Sequence, residues 1–398
     1  MVGSLRSARR RALLPVCDRL ESRELLSGGE LGHLPHGGMR PAAIRTHRHE
    51  RADPMAAFKG SIIARLNPQP DASISTVPPN GDVNPYGVAF VPNGFPKGGP
   101  LQPGDVLVSN FNNSSNQQGT GTTIVDITPS GSQSVFFQGP SGLGLTTALG
   151  VLKKGFVIVG NVPATYDSSG NLLSVGQGSL LILDRHGHEV ANLTDPALLD
   201  GPWDLTISEQ GNNAQVFVSN VLNGTVTRLD LKVTPQNNGI TVQDMVRIAS
   251  GYLFRTDPAA LVVGPTGLAY DPAKDLLYVA STGDNAVFAI ADAGHATTDQ
   301  GMGTLIYQDP AHLRGPLGLV LAPNGDLLTT NGDAVNPDPT QPSELIEFTP
   351  TGNFVGELSL DPAQGAAFGL AINVKGNVLT LATVNDDTNH LDERFVSR

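Results

Sequence analysis

The sequence predicts an all-β fold, a six-bladed β-propeller, and three observations support this. A short apolar segment with a small residue near its start recurs six times, at intervals of 51 to 63 residues. A second, almost wholly apolar segment follows each copy after a polar turn. The 398 residues include 46 glycines and 30 prolines, which suit many tight turns. Short strands repeated at this period are typical of propeller blades, each of four antiparallel strands.

The first recurring segment is the expected innermost strand of each blade. Its copies are Tyr86–Phe90, Ala148–Leu152, Trp203–Ile207, Thr266–Tyr270, Leu317–Leu321 and Phe368–Ile372. Positions 87, 150, 204, 267, 318 and 369 align, and all but Asp204 are glycine. Innermost strands crowd around a central channel, where Cβ atoms would collide, so glycine fits there. Six copies predict six blades.

The second recurring segment predicts the strand that pairs with the first. Its copies are Val106–Asn110, Val157–Asn161, Val216–Asn220, Leu277–Ser281, Leu327–Asn331 and Val378–Ala382. Their nearly continuous apolar character indicates strands buried on both faces, as between neighbouring blades.

The last blade lacks a fourth strand of its own. After Val378–Leu381 only residues 390–396 remain, which is enough for a third strand. We expect residues 72–77 to supply the missing strand, so that the ring closes by joining its two ends and leaves no exposed sheet edge. The propeller would then cover residues 70–398.

Four connectors between blades carry the same tripeptide. Asp-Pro-Ala occurs at residues 195–197, 257–259, 309–311 and 361–363. Aspartate is a good N-cap and proline suits the first helical position, so each connector is expected to hold one short helix.

Residues 1–58 differ from the rest of the chain. They show no strand or helix periodicity, and residues 1–60 carry eleven Lys and Arg against six Asp and Glu. We interpret them as a disordered, basic leader that is separate from the fold.

Composition restricts the partners. The net charge is −12, and the chain beyond residue 60 carries 14 basic against 31 acidic residues, which argues against a nucleic-acid surface. No apolar run reaches the length of a membrane span, so no transmembrane segment is expected. The single cysteine, Cys17, excludes an internal disulfide and a cysteine-based zinc site.

The candidate site follows from strand direction. In antiparallel blades the end of each second strand lies on the same face as the start of each first strand, so one channel mouth collects several polar and aromatic side chains. The expected ligand-binding residues are Asn110, Asn161, Trp203, Asp204, Asn220 and Asn331. Carboxamides beside aromatic rings suit a small molecule, a glycan or a protein partner. The alternative is that each asparagine only closes its own hairpin by bonding local backbone.

The same face carries the longest insertions between second and third strands, at residues 111–122, 162–178 and 332–342. Long loops on one rim of a rigid scaffold usually mark the working face. We expect Asn220 and Asp204 to be partly solvated, so that replacing either by alanine removes binding at little cost in stability.

Two resemblances extend this interpretation. Leu277-Tyr278-Val279-Ala280-Ser281-Thr282-Gly283-Asp284-Asn285-Ala286-Val287 resembles the NHL-repeat propellers, and the likeness covers roughly residues 70–398. Leu20-Glu21-Ser22-Arg23-Glu24-Leu25-Leu26-Ser27 resembles the Leu-Glu-x-Arg-x-Leu-Leu-Ser leader of exported planctomycete proteins. Together they imply an exported protein of the cell envelope or the extracellular space.

The resemblance to NHL-repeat propellers leaves two functions open, because related propellers include both binding scaffolds and enzymes. The first is an exported binding or scaffold module that needs no cofactor. The alternative is a metal-dependent, lactonase-like hydrolase or lyase with a divalent cation such as Ca²⁺ or Mg²⁺. Its metal ligands would be Asp204, Asn161, Asn220 and Asn331, although Asp204 is the only carboxylate placed in the inner ring.

Overall fold

The computed structural model describes residues 58–234, 239–332, 340 and 343–397. These residues form six four-stranded antiparallel sheets arranged as a propeller, which confirms the predicted fold class. No helix in this part of the chain is long and apolar enough to cross a membrane. The predicted leader up to residue 57, and most of the insertion at 332–342, lie outside the described residues.

The first half of the chain builds three blades. The strand that closes the ring is β1 (Ala72–Ser75). Blade 1 contains β2 (Val83–Phe90), β3 (Val106–Asn112), β4 (Thr123–Ile127) and β5 (Gln133–Gln138). Blade 2 contains β6 (Leu145–Leu152), β7 (Phe156–Asn161), an inserted hairpin of β8 (Ala164–Tyr166) and β9 (Leu172–Val175), then β10 (Ser179–Asp184) and β11 (Glu189–Leu193). Blade 3 contains β12 (Pro202–Gln210), β13 (Asn213–Asn220), β14 (Thr225–Thr234) and β15 (Gly239–Ser250).

The second half completes the ring. A connecting hairpin of β16 (Arg255–Asp257) and β17 (Leu261–Val263) follows blade 3. Blade 4 contains β18 (Pro265–Asp271), β19 (Leu276–Ser281), β20 (Ala286–Ala291) and β21 (Thr304–Tyr307). Blade 5 contains β22 (Pro316–Leu321), β23 (Leu327–Asn331), β24 (Glu344–Phe348) and β25 (Phe354–Ser359). Blade 6 contains β26 (Ala367–Lys375), β27 (Val378–Asn385) and β28 (His390–Ser397).

The ring closes as predicted, because β1 pairs antiparallel with β28 and completes blade 6. A fully buried arginine fixes this closure. The Arg394 guanidinium donates to the backbone carbonyls of Asn67 and Pro68, each at 3.2 Å. The Phe395 N–H donates to the Asp71 carboxylate at 2.7 Å. Side-chain and backbone bonds therefore tie the chain just before β1 to the last strand.

The packed body includes residues before residue 70, within the interval from Phe58 to Ile74 where ordered structure is expected to begin. Phe58, Ile62, Ile63 and Leu66 are buried in an apolar cluster with residues of blades 5 and 6. The buried carboxylate of Glu347 on β24 accepts the N–H groups of Ile62 and Ile63, both at 2.9 Å. A short 3-10 helix, Ile63–Arg65, is thereby held against blade 5. This segment has no strand periodicity, so its packing was not apparent from the sequence.

The glycines at the aligned positions of the innermost strands have the steric cause that the sequence suggested. A Cβ on Gly267 would lie 2.3 Å from the carbonyl oxygen of Leu317, in the first strand of the next blade. A Cβ on Gly369 would lie 1.9 Å from the carbonyl oxygen of Tyr86, where the ring meets blade 1. Neighbouring innermost strands thus touch through their backbones at this level, and glycine permits it.

The Asp-Pro-Ala connectors form single turns, and the expectation of short helices was wrong. Asp195 Oδ1 accepts the Ala197 N–H at 2.9 Å, and the Asp195 carbonyl accepts the Leu199 N–H at 2.7 Å. The aspartate therefore caps one turn, as predicted. The turn does not continue because β12 begins at Pro202, only three residues later.

Candidate functional site

Four aromatic rings gather at the channel mouth, on the face where the second strands end, which we call the mouth face. The Tyr86 ring stacks between those of Phe111 and Phe368, with centroids 4.5 and 4.1 Å away. The Trp203 ring meets Tyr86 and Phe111 edge-on at 5.8 and 5.4 Å. Offset-stacked and edge-to-face contacts of this kind hold rings rigidly. Tyr86, Trp203 and Phe368 each come directly before an aligned column position, so the repeat itself brings them together.

Three of these rings border a small apolar pocket of about 30 Å³. Its lining residues are Tyr86, Trp203, Ala260, Val262, Thr266, Thr282, Gly315, Leu317, Gly332 and Phe368. Thr266 and Thr282 both donate their hydroxyl hydrogens to the Pro316 carbonyl, at 2.9 and 2.7 Å. Because these hydroxyls already have a partner, the pocket presents mainly carbon atoms to a ligand.

The Tyr86 hydroxyl contributes no charge to this surface. Burial raises its pKa well above the ordinary value, and the nearby Asp386 carboxylate raises it further. The phenol therefore stays neutral at any physiological pH.

Two loops lie against the β16–β17 hairpin beside the pocket. Gln118, in the insertion after β3, donates its side-chain amide to the Ala259 carbonyl at 3.0 Å. The Tyr166 hydroxyl on β8 donates to the Gln118 carbonyl at 2.8 Å. The insertions of blades 1 and 2 thus meet the β16–β17 hairpin beside the mouth. Two of the three predicted long loops therefore contact each other and the hairpin that contributes Ala260 and Val262 to the pocket, and the third is mostly outside the described residues.

Asp204 lies in the channel below the pocket, not in the pocket itself. Its Oδ1 accepts the Leu205 N–H at 2.7 Å, and its Oδ2 accepts the Leu268 N–H of blade 4 at 3.3 Å. Desolvation raises the pKa of this carboxyl well above its usual range, and the two hydrogen bonds only partly oppose that. Where five blades have glycine, blade 3 has a side chain that links it to the next blade.

Asn220 is fully buried at the end of β13. Its Oδ1 accepts the Asp200 N–H at 3.1 Å, and its Nδ2 donates to the Leu198 carbonyl at 3.1 Å. Nδ2 also lies 3.1 Å from the hydroxyl oxygens of Thr225 and Thr227. The carboxamide thus holds the connector that enters blade 3. The expectation that Asn220 is partly solvated was wrong, because the connector folds over it.

The other three asparagines are also buried and bonded. Asn331 accepts the Arg314 N–H at 2.9 Å and donates to the His312 carbonyl at 2.7 Å, both in the connector that enters blade 5. Asn110 donates to the Thr76 carbonyl at 3.0 Å, just after the closing strand. Asn161 follows the hairpin alternative, since it donates to the Ser179 backbone carbonyl, on the next strand of its own blade, at 3.1 Å.

The structure therefore brings only part of the predicted site together. Trp203 lines the apolar pocket, Asp204 lines the channel, and the four asparagines lie outside the pocket lining. A binding role for Asp204 and the asparagines stays a prediction. Tyr86 and Phe368 belong to the pocket more clearly than the asparagines do. The signal for them was the aromatic residue one position before the glycine column.

These residues do not fit a divalent cation as they are arranged. The Oδ1 atoms of Asn220 and Asn331 already accept backbone N–H groups, and the raised pKa of Asp204 favours its neutral form. Calcium and magnesium prefer several free, charged oxygen ligands. Among the described residues no group of three or more His, Cys, Asp or Glu is placed to hold a metal ion.

No protein-family model and no curated protein matches this sequence. Solved structures resemble it in fold. The α-L-arabinofuranosidase Arb93A of Fusarium graminearum is 13% identical with a TM-score of 0.50, over 84% of this chain and 98% of that one. A calcium-binding regucalcin of Agrobacterium tumefaciens is 11% identical with a TM-score of 0.47, over 83% and 96%. Identities this low show a shared fold alone.

Proposed function

We propose that this protein is an exported binding module whose ligand site is the aromatic pocket at the channel mouth. One observation carries the proposal: a preformed pocket, walled by Tyr86, Trp203 and Phe368, opens at the mouth of the channel. Rigid concave sites lined by aromatic side chains are where ligands gain the most from desolvation. The ring of blades supplies the rigidity.

The lining indicates what the site accepts. Its threonine hydroxyls are bonded to backbone and its phenol is buried, so a polar ligand would find few free partners. A small apolar or aromatic group fits best, either as part of a small molecule or as a side chain of a protein partner. Burying such a group releases about 25 cal/mol per Å² of apolar area.

Export is the second part of the proposal, and it rests on the leader motif at residues 20–27 and the basic character of residues 1–60. The test is cell fractionation of the full chain and of a chain that starts at Ala52. We expect the full chain outside the cytoplasm and the shortened chain inside it. Identical distribution of the two would refute a targeting role for the leader.

The binding site is tested by filling the pocket without removing a contact. Ala260→Phe places a ring in the pocket, and the exposed neighbour Ala259→Phe is the matched control because Ala259 is not part of the lining. Saturation-transfer NMR with benzyl alcohol and with cyclohexanol should show binding to the native protein and to Ala259→Phe. Binding to Ala260→Phe should fall at least about tenfold. No binding to the native protein, or equal binding to all three, would contradict the proposal.

The cation-dependent hydrolase remains the alternative from sequence. It requires a tightly held Ca²⁺ or Mg²⁺ near Asp204, and metal analysis of the purified protein tests that requirement directly. A stoichiometric cation that is lost on Asp204→Asn would favour the hydrolase over the binding module.

A further inference from the structure

A second cavity lies on the face opposite the mouth, at the groove between blades 3 and 4, and has a volume of about 400 Å³. Four carboxamide side chains converge on it: Gln210, Asn213, Gln215 and Gln243. Its other lining residues are Ser208, Ala214, Asp230, Leu231, Tyr270, Pro272, Asp275 and His295. No repeat produces this set, since its members come from β12, β13, β14, β15, the end of β18 and two turns of blade 4.

The first wall of the cavity is fixed by a buried arginine. Arg228 is 5% exposed and contacts the Asp230 carboxylate through its NH2 nitrogen at 3.0 Å. Asp230 Oδ1 also accepts the Gln215 amide at 3.0 Å, and the same amide donates to the Gly294 carbonyl at 2.7 Å. The Gln215 side chain is therefore held in place across the two blades.

The second wall is organised by Asp275. Its Oδ1 accepts the Tyr270 hydroxyl at 2.7 Å and the Gly294 N–H at 2.6 Å, and its Oδ2 lies 2.5 Å from His295 Nδ1. These bonds lower the pKa of Asp275 despite its partial burial. The His295 side chain is 86% exposed, so its Nε2 atom is accessible at the cavity rim.

The charges of this site are compensated internally. Asp230 is paired with Arg228, and each oxygen of Asp275 already accepts a donor or contacts His295. Neither carboxylate is left to attract a cation, and both disfavour an anion. The groups that remain for a ligand are the carboxamides of Gln210, Asn213 and Gln243, the Ser208 hydroxyl and the His295 Nε2 atom.

We infer that this cavity binds a neutral, hydroxyl-rich ligand, a saccharide. A carboxamide donates and accepts side by side, which matches the paired donor and acceptor of adjacent sugar hydroxyls. The partly buried Tyr270 ring, packed on Phe217 at 4.6 Å, adds an apolar surface for the C–H face of a sugar. The site does not depend on the mouth pocket, since it lies on the other face and shares no lining residue with it.

The test is calorimetric titration with glucose, galactose, mannose and N-acetylglucosamine, with glucosamine and sialic acid as charged comparators. We expect at least one neutral sugar to bind more tightly than both charged ones. Asn213→Ala and Gln243→Ala remove exposed carboxamides and should each weaken that binding about tenfold. Asn192→Ala, which removes an exposed carboxamide of blade 2 outside the cavity, is the matched control and should bind normally.

The inference is overturned if none of the four neutral sugars binds, or if Asn213→Ala and Gln243→Ala bind as tightly as the native protein. Ala260→Phe separates the two sites. It should leave sugar binding unchanged, and a loss in that variant would place the sugar at the mouth instead. Normal sugar binding with no binding of apolar probes would refute the mouth proposal and leave this one standing.

Discussion

The two ends of strand β13 carry the same residue in opposite circumstances. Asn220, at the mouth end, is fully buried and bonded to backbone and hydroxyl groups. Asn213, at the other end, is exposed at the rim of the polar cavity. Asn220 occupies a position at the end of the second strand that is asparagine in most blades. Asn213 belongs to the lining of the polar cavity, which no repeat produces. On this strand the repeated asparagine holds the architecture together, while the unrepeated one is exposed at a cavity.

Breaking the ring closure should destabilise the whole propeller and disrupt the sites on both of its faces, so it has the largest expected effect. Arg394→Met keeps the apolar stem but leaves the Asn67 and Pro68 carbonyls and nearby carboxylates without their buried cation. We expect a loss of about 3–5 kcal/mol in the free energy of unfolding, measured by urea denaturation. Arg255→Met, at a half-exposed surface ion pair, is the control and should cost less than about 1 kcal/mol. Similar midpoints for the two variants would refute the role of Arg394.

The comparison between the ends of β13 is tested by one substitution made twice. Asn220→Ala leaves the Asp200 N–H without its partner and removes one of the two donors to the Leu198 carbonyl, so it should cost about 2–3 kcal/mol. Asn213→Ala removes an exposed side chain and should change stability by less than about 0.5 kcal/mol. Chemical denaturation of the two variants gives both values. Equal stabilities would mean that the buried carboxamides do not hold the connectors.

Blade 1 gives a second contrast with Asn213, because Asp126, a polar residue of blade 1 near the face opposite the mouth, is buried. Asp126 is 4% exposed, and desolvation together with the Asp105 carboxylate raises its pKa to about 7. A carboxyl with a raised folded pKa binds its proton more tightly in the native state. The loss of folding stability caused by ionising this buried carboxyl is therefore absent below about pH 4. It grows as the pH rises towards about 7 and is constant above that.

Asp126→Asn removes this penalty, so it should raise the melting temperature more at pH 8 than at pH 4.5. The exposed Asp299→Asn is the control and should shift the melting temperature little at either pH. Scanning calorimetry at the two pH values measures the difference. A shift for Asp126→Asn that is the same at both would contradict the raised pKa.

The repeat explains what could be predicted from the sequence. Strand positions, the glycine column and the closure by residues 72–75 each depend on local pattern or on copies that can be aligned. The aromatic pocket could be predicted in part, because Tyr86, Trp203 and Phe368 each come directly before an aligned position of the innermost strands. What the repeat does not encode was missed: the partners of Asn220 lie 20 and 22 residues upstream in a connector, and only the folded chain brings them close.

The same limit applies to the two other features that were missed. Glu347 holds the segment at Ile62 from 285 residues away, and no periodicity links them. The polar cavity draws residues from five strands and two turns of neighbouring blades, so none of its members stands out in an alignment of repeats.

The most direct test of the central claim uses Trp203, the only tryptophan in the chain. Trp203 is 3% exposed and borders the mouth pocket, so its fluorescence reports on that site alone. We predict that trichloroethanol, a small apolar quencher, quenches it with a saturating dependence on concentration, while iodide does not. Quenching should disappear in Ala260→Phe and persist in Ala259→Phe. Equal quenching by trichloroethanol in both variants would contradict the account.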